Sequence, residues 1–455
     1  MKSADIIVAK TAKQTTAPDL ALQHFDFFYG PVFGKQWPSI RLGLLSDSKY
    51  CALVNNYANF DKTVARLESL GAYDLMAHFS DTRRKLEEKL FLSNAADAAE
   101  SQTACLDKPV SDIESSLDTV ADTGLDRRDE GGLFSWLPAE TPAPSTDKPE
   151  SFLPTDTRVG KPPPSRENQF WMAKHDELSF DSVTVEPDDS VHIPDNLKLL
   201  SFPRGDISVF PQAPPDQHAA LSFYLMDAAS VFPVLALDVQ YGDLVLDLCA
   251  APGGKSLLLL QTLLPGCLVC NDADLERVNR LRKILNAYIP QGADIRERVI
   301  LKRFDAATAW NEPARYDRVL VDAPCTNDRH SLLGDDKGNL FRRSRAQERM
   351  EMPKLQTSIL VSGLRSLKPG GTLVYATCSL SPIQNDGVVA AALKQICETK
   401  DSCDFVVRDL TRLAAEFRRA GIFRFSTTPK YGQLIVPHIA TNFGPIYVSK
   451  IKRVS

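Results

Sequence analysis

The 455-residue sequence lacks any long apolar run, and its longest uninterrupted stretches are about as short as Phe232–Leu237. A helix that crosses a bilayer needs about 18–20 apolar residues in a row, so no membrane partner is expected. Cysteine is scarce too, since the nine residues are scattered along the chain and no secretory signal precedes them. This usage excludes a disulfide scaffold and favours a reducing compartment, where thiols stay free to react.

Patterns that would bind a metal are also missing. The seven histidines form no cluster with acidic or cysteine residues. Cys267 and Cys270 have the C-x-x-C spacing of a zinc site, but no second pair accompanies them and they flank a predicted buried strand. We therefore predict that the protein binds no metal.

The sequence has little net charge, with 53 basic and 58 acidic side chains and a formal net charge of −5. The acidity is concentrated at residues 95–165, which hold 14 acidic, 6 basic and nine proline residues. Such a segment cannot bury enough surface to offset its ordering entropy, so we predict a largely disordered insertion over residues 95–195, with Asn168–Trp171 as a short docking segment. Without the −8 of its acidic part the chain carries +3, which is compatible with an RNA partner.

After residue 196, short apolar segments alternate with amphipathic ones. The apolar segments predict strands at Leu244–Cys249, Leu268–Asn271, Val299–Arg303, Arg318–Asp322, Thr372–Thr377 and Ile446–Lys452. The intervening spacing predicts helices at Pro252–Leu264, Leu275–Tyr288, Pro353–Leu367 and Asn385–Ile396. This alternation is typical of an α/β domain, here residues 196–455, with a parallel sheet covered by helices on both faces. Residues 1–94 are predicted to be a small N-terminal region, rich in α-helix, that packs on this domain.

The first predicted strand runs into a loop with two adjacent glycines, Gly253 and Gly254, followed by Lys255. Without side chains the backbone can approach a ligand closely, and the next helix can direct free amide groups at it. The whole string Asp247–Lys255 is neither a dinucleotide loop nor a nucleotide-phosphate loop. Because ligands of parallel sheets bind beyond the carboxyl ends of the strands, we predict a cofactor pocket at this loop.

Acidic residues follow the next two strands. Asp272 stands about 20 residues beyond the glycines, where a carboxylate can accept hydrogen bonds from both hydroxyls of a ribose. The alternative is that the acidic pair Asp272 and Asp274 only caps the helix that begins at Leu275. Asp305, after the third strand, is similarly placed to contact an adenine amino group.

Two cysteines follow the fourth and fifth strands, Cys325 shortly after Asp322 and Cys378 next to Thr377. A lone buried cysteine is usually an inert apolar residue. If the strands are parallel neighbours, however, both thiols face one crevice, and this fits methylation of carbon 5 of a pyrimidine. A thiolate that adds to carbon 6 makes carbon 5 nucleophilic enough to attack a sulfonium methyl group. Asp322 would accept a hydrogen bond from the cytosine edge or, if protonated, donate a proton to the ring.

The strings Asp247–Lys255, Asp322–Cys325 and Thr377–Ser379 together resemble the Sun family of S-adenosylmethionine-dependent RNA cytosine-5 methyltransferases. The match covers the chain from about Arg204 to Arg453. It implies a Rossmann-like class I methyltransferase fold with a mostly parallel seven-stranded sheet. It also implies that Cys378 is the nucleophile and that Cys325 assists release of the adduct. The cofactor pocket implied by the resemblance is lined by Gly253, Gly254, Lys255, Asp272, Arg277, Asp305 and Asp322.

Further strings resemble one branch of this family, which modifies small-subunit ribosomal RNA in mitochondria. They are Leu20–Asp26, Trp37–Arg41, Tyr50–Asn56, Tyr224–Ser230, Asp328–Leu332 and Asn442–Pro445. The likeness implies a location in the mitochondrial matrix, a role in mitochondrial ribosome assembly and a helical-repeat partner of the mitochondrial transcription-termination-factor family. The first residues are a poor transit peptide, because Asp5 is acidic and no arginine precedes Arg41.

Two other functions stay open at this point. The chain could act in ribosome assembly chiefly by binding, with methylation dispensable. It could also methylate transfer RNA instead of ribosomal RNA. The three intact motifs argue against an inactive enzyme.

Overall fold

The computed structural model describes residues 15–101, 166–176, 183–188, 191–398 and 404–455. Most of the predicted insertion lies outside these residues, so its predicted disorder stays a prediction. The described parts up to Thr82 and from Arg166 onward form one compact unit, and the chain from Arg83 to Ser165 belongs to a second. Of the second unit, only the end of a helix that reaches Ser101 is described.

Helices and strands both occur along most of the described chain. In chain order, the helices are α1 (Ala17–Phe33), α2 (Trp37–Leu45), α3 (Phe60–Ser69), α4 (Leu75–Ser101), α5 (Arg166–Asp176), α6 (Val231–Leu237), α7 (Gly254–Gln261), α8 (Leu275–Tyr288), α9 (Asp328–Leu333), α10 (Ala346–Ser366), α11 (Asp386–Glu398) and α12 (Thr411–Arg419). The strands are β1 (Cys51–Val54), β2 (Tyr73–Asp74), β3 (Val185–Pro187), β4 (Leu199–Ser201), β5 (Phe223–Met226), β6 (Leu244–Asp247), β7 (Cys267–Asn271), β8 (Val299–Lys302), β9 (Tyr316–Asp322), β10 (Leu367–Thr377), β11 (Phe405–Asp409), β12 (Phe425–Ser426), β13 (Gln433–Ile435) and β14 (Ile446–Arg453).

The large sheet contains the order β14-β10-β9-β6-β7-β8, in which the five strands from β10 to β8 are parallel. β14 pairs with β10 in the antiparallel direction. On the other side of β14, β13 pairs with the first half of that strand and β11 with its second half. β12 pairs in turn with β13, and β3 pairs with β11. Within the described residues the sheet has ten strands, three more than the predicted seven, because β3, β11, β12 and β13 extend it beyond β14. The predicted Rossmann-like fold with a mostly parallel central sheet is confirmed.

Local signals in the sequence explain most of the element bounds. In α8 the Asp274 side chain accepts a hydrogen bond from the Arg277 amide at 2.8 Å, and the apolar residues Val278, Leu281 and Leu285 are buried along one face. Two helices begin elsewhere than predicted. α7 begins after Gly253, whose φ of +121° is not helical. α10 begins at Ala346 and carries Pro353 in its interior, although the preference of proline for the first turn of a helix predicts a start there.

A second, antiparallel sheet has the order β2-β4-β1-β5. Its strands β1 and β2 precede the predicted insertion, whereas β4 and β5 follow it. The predicted N-terminal helices are present, and this sheet joins them to residues of the predicted main domain. The division at residues 94 and 195 therefore stays a prediction.

Helix α5 contains the predicted docking segment. Its Trp171 is only 2% exposed and lies against Phe28 of α1, with 6.3 Å between the ring centres. Glu167 accepts hydrogen bonds from the buried guanidinium of Arg349 on α10, at 2.6 Å from Nε. The helix is thus anchored by aromatic contacts with α1 and by the ion pair with α10.

The turns before β6 and β7 provide a test of the sheet. A Cβ at Gly266 would lie 2.4 Å from the carbonyl oxygen of Gly242. We expect Gly266→Ala to lower the free energy of unfolding by about 1–3 kcal/mol, because two backbones would have to separate. Urea denaturation measures the loss. Gly292→Ala is the control, since no atom lies within 4 Å of its Cβ position; equal losses in the two variants would contradict the close contact.

Candidate active site

The predicted motifs meet at the carboxyl ends of three neighbouring strands, β6, β9 and β10. Asp247 on β6 is paired with Leu320 on β9, and Asp322 on β9 is paired with Ala376 on β10. The loops that follow these strands therefore leave the sheet side by side, at the edge where parallel sheets bind their ligands.

The glycine loop between β6 and α7 is closely packed. A Cβ at Gly253 would lie 2.8 Å from the Leu281 side chain, and its φ of +121° also favours glycine. A Cβ at Gly254 would lie 3.3 Å from the ring of Tyr224. The two glycines therefore let the loop pass between α8 and Tyr224, and the first amide groups of α7 are directed toward the ligand edge.

The two acidic residues after β7, Asp272 and Asp274, make different contacts. Asp274 is the residue that caps α8. Asp272 faces the glycine loop, where its carboxylate accepts a hydrogen bond from the Ala251 amide at 3.3 Å. Arg277 holds this carboxylate with Nε at 3.1 Å and donates to the Ala251 carbonyl at 2.8 Å. The capping alternative therefore applies to Asp274 and leaves Asp272 available for a ligand.

Lys255 and Asp322 form an ion pair between α7 and the end of β9. Nζ donates to Oδ2 at 2.8 Å. Burial lowers the pKa of Lys255, but the Asp322 carboxylate outweighs it, so the pKa of Lys255 is raised overall. A carboxylate paired with an ammonium group is an acceptor, which favours the first of the two predicted roles of Asp322 over proton donation.

The two predicted thiols converge. The Sγ atoms of Cys325 and Cys378 are 3.0 Å apart, and both cysteines are free. The hydrogen bond with Cys325 and burial raise the pKa of the Cys378 thiol well above its ordinary value, while the charge of Lys255 acts in the opposite direction. The neutral thiol is therefore the resting form, and Lys255 is the nearby charge that favours the thiolate.

The carboxylates at this edge fit a cationic ligand. Burial raises the pKa of Asp247 to about 7, and the charges of Asp322 and Asp272 add to this effect. A cofactor with a positively charged sulfur relieves such repulsion, and its ribose suits the position of Asp272. Asp305 lies after β8 with its carboxylate exposed and bonded to the Thr308 hydroxyl at 2.7 Å. The donor set thus fits S-adenosylmethionine.

Sequence reasoning missed the polar groups under the two cysteine loops. Asp328 is fully buried, with an exposure of 0%, and accepts a hydrogen bond from Thr326 Oγ1 at 2.6 Å. Gln384 Nε2 donates to the same Thr326 hydroxyl at 3.0 Å. Hydrophobic periodicity cannot reveal a polar side chain that is buried, so only the string around Asp328 gave a signal.

Two kinds of feature do not occur in the part of the chain that the structure describes. There, no helix is long and apolar enough to cross a membrane. Nor do three or more histidine, cysteine, aspartate or glutamate side chains come together as ligands of a metal.

Comparison with known proteins adds the class of the chain. Residues 234–450 match the family model described as 16S rRNA methyltransferase RsmB/F. The 5-cytosine rRNA methyltransferase nsun-4 of Caenorhabditis elegans is 37% identical over 98% of this chain and 94% of its own length. NSUN4 of Mus musculus is 37% identical over 98% and 91%. A mitochondrial tRNA (cytosine(34)-C(5))-methyltransferase of Mus musculus is 40% identical over 51% and 64%.

The fold and the thiol-containing site define an S-adenosylmethionine-dependent RNA cytosine-5 methyltransferase. More narrowly, the chain belongs to the family of 5-cytosine rRNA methyltransferases that includes NSUN4. The predicted family, enzyme class and cofactor are thereby confirmed.

The raised pKa of Asp247 makes stability depend on pH. Its folded-state pKa of about 7 exceeds its ordinary 3.8, so the folded chain binds the extra proton and loses stability as pH rises through that interval. Asp247→Asn lacks this proton. We expect the free energy of unfolding of the variant, relative to the original chain, to be more favourable at about pH 8 than at about pH 5. Urea denaturation at both values measures this difference, which isolates Asp247 because all other titrating groups are shared. A difference that does not change with pH would contradict the raised pKa.

Proposed function

We propose that the chain transfers a methyl group from S-adenosylmethionine to carbon 5 of a cytosine in ribosomal RNA, through a transient bond between Cys378 Sγ and carbon 6. The observation that carries the proposal is the pair of sulfurs 3.0 Å apart at the ends of two parallel strands. They lie beside the ion pair of Lys255 and Asp322, and the charge of Lys255 acts on Cys378.

The residues support the reaction in a defined order. Cys378 first loses its thiol proton to a base, which the charge of Lys255 favours. The resulting thiolate adds to carbon 6, and the displaced π electrons make carbon 5 nucleophilic. S-Adenosylmethionine supplies the methyl group on a positively charged sulfur, which keeps the bonding electrons when the methyl group leaves. Asp322 accepts a hydrogen bond from the cytosine edge and so orients the ring. Once a base has removed the hydrogen on carbon 5, the ring double bond re-forms and Cys378 leaves, a step assigned to the neighbourhood of Cys325.

The cofactor roles follow from the same edge of the sheet. Amide groups of the loop at Gly253 and Gly254 would hold the amino-acid part of the cofactor. Asp272, which Arg277 holds in place, would accept hydrogen bonds from the ribose hydroxyls. Lys255 and Asp322 would line the pocket beside the two thiols, and Asp305 would contact the adenine amino group.

The biological setting is the finer part of the proposal. Likeness to NSUN4 over nearly the whole chain supports ribosomal RNA as the substrate. The branch resemblance supports small-subunit RNA, the mitochondrial matrix, a role in ribosome assembly and the helical-repeat partner. In this proposal residues 1–94 pack on the methyltransferase domain at 196–455, separated by the acidic segment 95–195.

Alanine substitutions of the two cysteines are expected to impair different steps of the reaction. Cys378→Ala should abolish methyl transfer, because it removes the thiol assigned to add to carbon 6, and it should leave cofactor affinity within about threefold. Cys325→Ala should accumulate a protein–RNA adduct that survives denaturing electrophoresis, because release is impaired. The assay measures tritiated methyl incorporation and the adduct band together.

Cys397→Ala provides the control, since Cys397 is exposed on α11, away from the loops after β9 and β10. It should retain full activity without an adduct. Methyl transfer by Cys378→Ala would reassign the nucleophile, and absence of the adduct in Cys325→Ala would remove the release role.

Asp272 should act on the cofactor alone. Asp272→Asn keeps the shape of the side chain but removes its charge, so the dissociation constant for S-adenosylmethionine should rise about tenfold or more. Titration calorimetry measures the change, and RNA affinity should stay within about twofold. Asp274→Asn is the matched control, because asparagine also caps a helix; an unchanged constant in Asp272→Asn would exclude the ribose contact.

The two other functions, methylation of transfer RNA and ribosome assembly by binding alone, can be tested by identifying the RNA that is methylated. Transfer RNA is supported as the alternative substrate because the chain is 40% identical to the mitochondrial transfer-RNA enzyme over 51% of its length. Bisulfite sequencing of RNA from depleted cells identifies whether ribosomal or transfer RNA loses the mark. Full rescue of ribosome assembly by the Cys378→Ala protein would favour a role that depends on binding.

A further inference from the structure

A buried carboxylate joins the two cysteine loops from below. Asp328 Oδ1 accepts from Thr326 Oγ1 at 2.6 Å, next to Cys325 in sequence. Asp328 Oδ2 accepts from the Leu380 amide at 2.7 Å, two residues after Cys378. The hydroxyl groups of Thr326 and Ser379 are themselves 3.0 Å apart. A single carboxylate therefore fixes the chain on the far side of both thiols.

The backbone adds a second contact on the same loop. The Asp328 amide donates to the carbonyl of Cys378 itself at 3.4 Å. The Ser379 hydroxyl lies 3.3 Å from Asp328 Oδ2. Asp328 thus binds the Cys378 loop through its amide, at the reactive residue, and through its carboxylate, at the two residues that follow it.

The fourth donor comes from the N-terminal region. Tyr29 on α1 donates its hydroxyl to Asp328 Oδ2 at 2.8 Å and is only 1% exposed. Its ring packs against those of Phe25 and Trp37, with ring centres 5.0 and 5.8 Å away. The tyrosine cannot move without the surrounding aromatic cluster, so it holds Asp328 in one orientation.

We propose that Asp328 is a positioning residue that sets the separation of Cys325 and Cys378, and that Tyr29 fixes Asp328 for this task. The inference rests on the proposed role of Cys378 as nucleophile. Burial raises the pKa of Asp328, whereas the hydrogen bonds from Thr326, Leu380, Tyr29 and Ser379 favour the ionised carboxylate, which offers only acceptor sites. An asparagine would direct an N–H group at one of these donors and leave a buried polar group unpaired.

The test compares rates in folded protein. Asp328→Asn should lower kcat about ten- to a hundredfold, while KM for S-adenosylmethionine stays within about twofold, because a displaced nucleophile affects the chemical step. The rate of adduct formation with RNA containing 5-fluorocytosine should fall by the same factor. Tyr29→Phe should lower both rates by about threefold, since one neutral hydrogen bond is lost.

Controls separate positioning from stability. Tyr316→Phe makes the same change at a fully buried tyrosine bonded to Glu312 at the other end of β9, and should leave kcat unchanged. Thr326→Val should lower kcat and Thr326→Ser should restore it, so the test holds even if Asp328→Asn does not fold. An unchanged kcat in folded Asp328→Asn, or equal activity of the two Thr326 variants, would overturn the proposal.

Thiol alkylation distinguishes failure of this inference from failure of the proposed function. If Cys378→Ala stays active, the nucleophile is wrong, but the iodoacetamide rate of Cys378 relative to Cys397 in one molecule still reports the loop. We expect Asp328→Asn to change that ratio at least about threefold. An unchanged ratio would show that Asp328 does not hold the Cys378 loop, whatever the reaction is.

Discussion

Parallel pairing of β9 with β10 is the constraint on which the site depends. It places Asp322 beside Ala376, so the chain turns away from the sheet at the same level in both strands. β6 pairs with the other side of β9, and the helix after it brings Lys255 to Asp322. Because side chains alternate between faces along a strand, a slip of one residue would turn these groups away from one another. Register, more than any single contact, makes the two thiols neighbours.

Two of the three carboxylates around the glycine loop are in ion pairs, and the third, that of Asp247, is not. Asp322 is paired with Lys255, and Asp272 is paired with Arg277. Asp247 has only the Ser256 hydroxyl on one oxygen, and within the described residues its other oxygen has no hydrogen-bond partner. A buried carboxylate without a counter-ion is disfavoured. A cofactor that carries positive charge would therefore offset the unpaired charge of Asp247.

The sequence predicted the parts of this site that depend on local pattern. Strand ends, the glycine loop and the positions of Cys325 and Cys378 follow from short apolar runs and their flanking turns. It could not predict which carboxylate after β7 caps the helix, because Asp272 and Asp274 differ only in side-chain direction. Nor could it predict the buried bond between Tyr29 and Asp328, which joins residues nearly three hundred positions apart. Such contacts are determined by tertiary packing, which cannot be predicted from the hydrophobic periodicity of the sequence.

In the folded chain, the strings that resemble the ribosomal-RNA branch contact one another in pairs. In the first pair, Asp26 accepts hydrogen bonds from Trp37 and Arg41. In the second, β1 pairs with β5 along its whole length.

In the third pair, the buried guanidinium of Arg329 donates to the Gly444 carbonyl at 2.8 Å and to Asn442 Oδ1 at 2.9 Å. Arg329 also donates to the carbonyl of Gly43 at the end of α2, and its neighbour in sequence is Asp328. The short helix α9 thus contacts the end of α2 through Arg329 and the Cys378 loop through Asp328. These two contacts lie on one turn of helix, so α2 and the Cys378 loop pack against the same short element.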